Sequence, residues 1–129
     1  MEWTSNFRDD GILEIITSGT FLLNDFIEMC EELLLDERWK PGINCLLDHR
    51  KLDLKSVDHS TVFNATNIHR EYDEKIGKSK IAVIVRGMAS YGVIRETQGC
   101  IGDDVQSEIM PFFDPNEALE WLKEDDILM

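Results

Sequence analysis

An acid, an imidazole and a guanidinium stand side by side at Asp48-His49-Arg50, directly after the apolar run Ile43 to Leu47. Asp48 beside His49 invites a general acid–base reading, but neighbours on an extended chain point to opposite faces and cannot act as one pair. No nucleophile–base–orienter set can be located from the sequence, so no catalytic residue is assigned and the chain is not expected to be an enzyme. Gly87, Gly92, Gly99 and Gly102 lack the spacing of a phosphate-cradling loop such as G-x-x-x-x-G-K-S/T. Cys30, Cys45 and Cys100 are an odd number, widely spaced, each beside an apolar neighbour, and read as buried reduced thiols. They form no C-x-x-C pair, and His49, His59 and His69 are too scattered to complete a metal motif with them. Neither a metal nor a cofactor is expected.

Binding is the chemistry left open. Ligands of open α/β sheets sit outside the carboxyl ends of the strands, often at helix N-termini. In this chain that rim would hold Asp48, His49 and Arg50 after one strand, Ser56 at the next helix start, and Arg86 after the following strand. Tyr91 and Arg95 are four apart and share a helix face. The candidate ligand or partner set is therefore Asp48, Arg50, Ser56, Arg86, Tyr91 and Arg95. Cations gathered at one rim of an acidic protein would suit an anion or an acidic partner segment. The plainer reading pairs Arg86 and Arg95 with Asp48 or Glu96 to hold strand ends in place, a modest role.

The 26 acidic residues against 13 basic ones leave a formal net charge of −13. Such a surface repels nucleic acid, whose binding rests on phosphate neutralisation, and also the anionic cytoplasmic leaflet. The first residues carry neither a basic region nor a long apolar run, so no secretion signal is read there. The apolar stretches fall far short of the ~20 residues of a membrane helix. A cytoplasmic location without membrane insertion is expected. A chain of 129 residues with 43% hydrophobic residues is the size of one domain with a real core.

The elements that must position these residues alternate. Trp3–Phe7 and Gly11–Thr17 read as strands around an Asp9-Asp10-Gly11 turn. A helix follows, capped by Asn24, with Phe26, Ile27, Cys30, Leu33 and Leu34 on one face. Ile43–Leu47 suits a strand covered on both sides. A second helix is expected from Val57 to Ile76, with Phe63, Ala65, Ile68, Tyr72 and Ile76 inward and Gly77 as its stop. Lys80–Val85 is the clearest buried strand. A helix from about Ala89, weakened by Gly92 and Gly99, leads to a short strand over Glu108–Phe113. Asp114, Pro115 and Glu117 open a last helix that buries Ala118, Trp121 and Leu122. Strands alternating with helices imply right-handed crossovers and a mostly parallel sheet with an antiparallel N-terminal edge: one α/β domain over residues 1–129.

This order of elements resembles the small bacterial STAS-like proteins, relatives of the anti-sigma-factor antagonists that are grouped loosely with lipid-binding CRAL-TRIO domains. The resemblance rests on Gly11-Ile-Leu-Glu-Ile-Ile, Leu46-Leu-Asp48, Lys80-Ile-Ala-Val-Ile-Val, Tyr91-Gly92-x-x-Arg95 and Phe113-Asp-x-x-x-Ala118-x-x-Trp121-Leu122, across nearly the whole chain. Antagonists of that family carry a phosphorylatable Ser or Thr, typically within Asp-Ser-x-Gly, at the start of the helix after the central strand. The matching stretch here, Lys51-Leu-Asp-Leu-Lys-Ser56-Val-Asp58, lacks that motif. Ser56 is expected to cap the helix and not to act as a switch.

Two roles follow. The first is a non-catalytic regulatory or interaction module that binds a protein partner or itself. The second is a carrier or sensor of a small apolar or anionic ligand, held between helices and sheet. A carrier needs an internal cavity, which a chain this short is expected scarcely to spare, because interiors pack densely.

Overall fold

The hairpin forms where Asp-Gly predicts it. In the computed structural model, which describes residues 1–124, β1 (Glu2–Phe7) and β2 (Leu13–Thr20) pair antiparallel with Phe7 opposite Leu13. Gly11 takes φ +83° in the turn between them, a left-handed conformation that costs a residue without Cβ little. α1 (Leu23–Leu34) follows and buries Met29 and Leu33. Asn24 does not cap it: the cap position falls to Leu22, which offers no side-chain bond. Phe21, buried just upstream against Leu52 and Leu54, anchors the chain and brings the helix start forward.

β3 (Cys45–Asp53) does not stop at Asp48 but runs on through His49, Arg50 and Lys51 to Leu52, which is buried. The loop then closes at Asp58, whose carboxylate accepts from the Thr61 N–H at 2.8 Å and caps α2 (His59–Glu71). Ser56 lies in the turn ahead of the helix and is not its cap. The acid two residues on is better placed, because an N-cap must reach the third N–H of the helix. The long helix expected to Ile76 breaks at Tyr72, and α3 (Asp73–Ile76) forms a separate turn. Gly77 ends it with φ +71°, so close to the Pro41–Gly42 turn that a Cβ there would lie 2.9 Å from the Gly42 nitrogen. Phe63 points outward, 55% exposed, while Val62 and Thr66 are buried. Thr66 can occupy the inner face because its hydroxyl donates to the Val62 carbonyl one turn back.

β4 (Lys80–Ile84) lies parallel to β3, with Cys45 opposite Ile81, and β5 (Glu108–Phe112) lies parallel to β4. α4 (Met88–Ile101) connects them and tolerates both of its glycines. α5 (Pro115–Lys123) starts under Asp114, whose carboxylate accepts from the Asn116 N–H. The acidic residues Glu124, Asp125 and Asp126 follow α5, and of these Asp125 and Asp126 lie outside the described residues.

The strands stand in the order β1-β2-β3-β4-β5. Every parallel step moves the same way across the sheet, and right-handed crossovers then place the connecting helices on one face. Leu13, Ile15, Cys45, Leu47, Val83 and Val85 face that side, against α1 and α4. Among the described residues the other face is covered by α5, with Ala118 and Leu122 against Leu46, Ala82 and Ile84. Lys80, expected within an apolar run, is buried there, and its ammonium bonds the Trp121 and Glu124 carbonyls at the end of α5. A cation at a helix C-terminus is well satisfied.

Candidate functional site

The rim residues expected to act together are dispersed. Asp48 and Arg50 point to the same side of β3 and form a two-point ion pair, with Nε–Oδ1 at 3.0 Å and Nη2–Oδ2 at 2.8 Å. Burial works against ionising Asp48, but the hydrogen bonds from Arg50 and its charge together hold the carboxyl below its usual range. Asp48 is thus paired within its own strand and not with Arg86 or Arg95. Glu96 likewise pairs with His59. Arg86 and Arg95 are exposed and make no ion pair among the described residues. Tyr91 stacks on Phe113, ring centroids 4.8 Å apart. No hydrogen bond among the described residues joins Ser56, Arg86 or Arg95 to the others.

What the sequence reading left out lies on the inner face. A cavity of about 180 Å³ sits between the sheet and α1, α2 and α4. Its sheet wall is made by Leu13, Ile15, Cys45, Leu47, Ile81 and Val83, and among the described residues no Lys, Arg, Asp or Glu lines it. One rim is bridged: the Tyr72 hydroxyl, at the end of α2, donates to Glu31 of α1 at 3.1 Å, and the indole N–H of Trp39, in the loop after α1, donates to the Lys75 carbonyl of α3 at 2.8 Å. The expectation that so short a chain scarcely spares a cavity is therefore corrected. Three helices lean on one face of a five-stranded sheet, and α1 and α2 do not close the space between them.

Most polar side chains along this wall have their hydrogen-bonding groups engaged within the protein. Thr61 bonds Asp58, Thr97 bonds the Val93 carbonyl, and His69 bonds Ser107 at 2.6 Å. Cys30 and Cys45 are pushed up to about 12 by burial, so both remain neutral thiols. His49 differs. It is 5% exposed, and its Nδ1 lies 2.7 Å from the hydroxyl oxygen of Thr17, which is fully buried. The Thr17 hydroxyl donates its one proton to the Asp48 carbonyl at 3.1 Å. A carbonyl can only accept, so Thr17 must accept from an Nδ1–H, which leaves Nε2 with a bare lone pair. Nε2 has no hydrogen-bond partner among the described residues.

The local backbone explains this placement. Between Ile16/Asp48 and Ser18/Lys51 the register of β2 and β3 slips by one residue. At such a bulge the ladder is interrupted, and the Thr17 hydroxyl serves the Asp48 carbonyl there. Burial lowers the His49 pKa from 6.5 to about 4, while the nearby Asp48 charge acts the other way. The ring is neutral at pH 7. Thr17 and His49 have the separation of a nucleophile and a general base, but the Thr17 proton goes to the Asp48 carbonyl and the Asp48 carboxylate lies on the opposite face with Arg50. One signal could have found the pair. Leu13-Ile15-Thr17 and Cys45-Leu47-His49 share the same period of two, which puts both polar residues at the same end of the inner face.

A five-stranded sheet in sequential order, with one antiparallel edge and three helices on one side, is a SpoIIAA-like fold, as the STAS resemblance implies. The chain is similar to an uncharacterised protein of the DUF3478 family from Shewanella loihica PV-4, with a TM-score of 0.61 over 94% of this chain and 92% of that one, at 18% identity. The likeness carries the fold alone. No family model matches the sequence, and no curated protein matches it. No helix among the described residues is long and apolar enough to cross a membrane.

Proposed function

We propose that this domain is a non-catalytic module that binds a small, uncharged, largely apolar molecule between its helices and its sheet. The cavity of about 180 Å³ is the observation that carries this reading. An engineered apolar cavity of about 150 Å³ stays dry and takes up benzene, so a space of this size and lining favours a compact organic molecule over water. An anion is a poor occupant, because no cation lines the wall to offset its lost hydration. The bridge from Glu31 to Tyr72 supports exchange between α1 and α2, since an exposed hydrogen bond opens at little cost.

Native mass spectrometry of gently purified protein, together with thermal melts in the presence of benzene and indole, tests this. A stoichiometric small adduct, or a rise in Tm with either probe, is expected. At a concentration a hundredfold above its Kd, a ligand adds about 2.7 kcal/mol of stability. A bare protein whose melting ignores both probes would overturn the reading.

A protein-interaction module is the second reading, and a surface patch favours it. Met88 is 74% and Phe113 47% exposed beside Tyr91, with Arg86 two residues before Met88. A bare homodimer in the same spectrum would support that role.

A further inference from the structure

We infer that His49 Nε2 is the polar anchor of the cavity, and that the preferred ligand is a neutral molecule with an apolar body and a single hydroxyl-type donor, such as a phenol or an alcohol. This rests on the cavity reading above and adds the chemistry of recognition. The acceptors along the wall are not equivalent. Tyr72 gives its hydroxyl proton to Glu31, Thr97 to the Val93 carbonyl and Thr61 to Asp58, so each offers only the lone pairs of a neutral hydroxyl. His69 bonds Ser107 through Nε2, and that hydroxyl can donate or accept, so nothing fixes which His69 nitrogen carries the proton. His49 offers an imidazole nitrogen whose state its partners define. The chain Asp48 carbonyl–Thr17 hydroxyl–Nδ1–H fixes which nitrogen that is and which way it acts.

The specificity follows from the cost of a mismatch. A lone pair that a bound ligand seals off without supplying a donor is penalised, and an apolar ligand that covers Nε2 incurs that penalty. A ligand hydroxyl removes it. A cationic donor would have to shed its water into a wall with no carboxylate. A ligand with two or more polar groups would find few free partners for the second.

The test uses two probes of one shape, p-cresol and p-xylene, which differ by a hydroxyl in place of a methyl. Affinities are measured by calorimetry on the wild type and on His49→Leu, with the ring-nitrogen signals of 15N-histidine-labelled wild type followed alongside. The free wild type is expected to show Nδ1 protonated and Nε2 bare. The wild type should bind p-cresol about tenfold more tightly than p-xylene, and only p-cresol should shift the Nε2 signal. In His49→Leu that preference should vanish or reverse while p-xylene still binds. The labelled wild type decides the matter even where the variant fails to fold. Equal binding of both probes with an unmoved Nε2 signal, or a protonated Nε2 in the free protein, overturns the anchor and leaves the cavity reading standing. If neither probe binds the wild type, the cavity reading fails and takes the anchor with it.

Discussion

Acidification should destabilise this protein well above the range where carboxylates titrate, and His49 is the reason. In the unfolded chain its imidazole takes up a proton near 6.5, whereas in the fold it does so only near 4, because burial disfavours the charged ring. Between those values the unfolded state holds more protons, so stability falls as pH falls. The gap of 2.5 pH units (6.5 less 4), at about 1.36 kcal/mol per unit, corresponds to about 3 kcal/mol. Most of that should be lost by pH 4.5, and for a domain of this size it is worth roughly 10 °C of Tm. Asp36, held near 2 by hydrogen bonds from Arg38, matters only below its ordinary 3.8. His69, also lowered by burial, adds to the same slope. The measurement is therefore a difference: urea unfolding of wild type and His49→Gln at half-unit steps from pH 7.5 to 4.5. Gln retains an N–H for Thr17 but does not titrate, so the two curves should converge by about 2–3 kcal/mol as the solution is acidified. Parallel curves would refute the claim that the ring is buried neutral.

Four further outcomes are expected. Asp58→Ala should cost on the order of 1 kcal/mol in chemical denaturation, because it removes the cap of α2, whereas Ser56→Ala should be neutral within about 0.5 kcal/mol. Gly77→Ala should cost more than about 1 kcal/mol by the same assay, since its Cβ would meet the Pro41–Gly42 turn at a left-handed φ. Replacing Arg86 and Arg95 together by Gln should leave Tm within a few degrees of wild type, because neither holds an ion pair among the described residues. Tyr72→Phe should leave stability nearly unchanged but accelerate exchange of a cavity-bound probe in relaxation or stopped-flow measurements, as its hydroxyl bridges α1 and the end of α2.

The sheet was legible in the sequence because its signals are local. Asp10-Gly11 marks the hairpin, Lys80–Val85 has no polar interruption but its first residue, and Asp114-Pro115 marks a helix start. The end of β3 was not legible, because Asp48, His49, Arg50 and Lys51 look like a loop by composition. They are strand residues whose charges are met by one another or by solvent at the outer face, and whose histidine is met by Thr17. Ser56 has the sequence position of a cap, but capping is decided by which side chain reaches the N–H groups, and Asp58 does. Cavities leave no trace in a hydrophobic pattern at all: an apolar residue that lines a void reads the same as one that fills it.

Sequential strand order also governs how this chain can come together. Each strand pairs with its immediate predecessor, so the sheet can grow from the N-terminus outward as the ribosome delivers it, without a later strand inserting between earlier ones. The β1–β2 hairpin closes quickly, whereas each parallel step waits on a crossover segment between its two strands and is slower. The same order has a hazard. Until β5 and α5 dock, β4 is an open edge whose Ala82 and Ile84 are uncovered on the side that Ala118 and Leu122 later occupy. An apolar strand with a free edge is a template for pairing with another copy. Translation that stalls before residue 108 would leave that edge open, and synthesis of the last unit serves as much to protect the nascent sheet as to complete it.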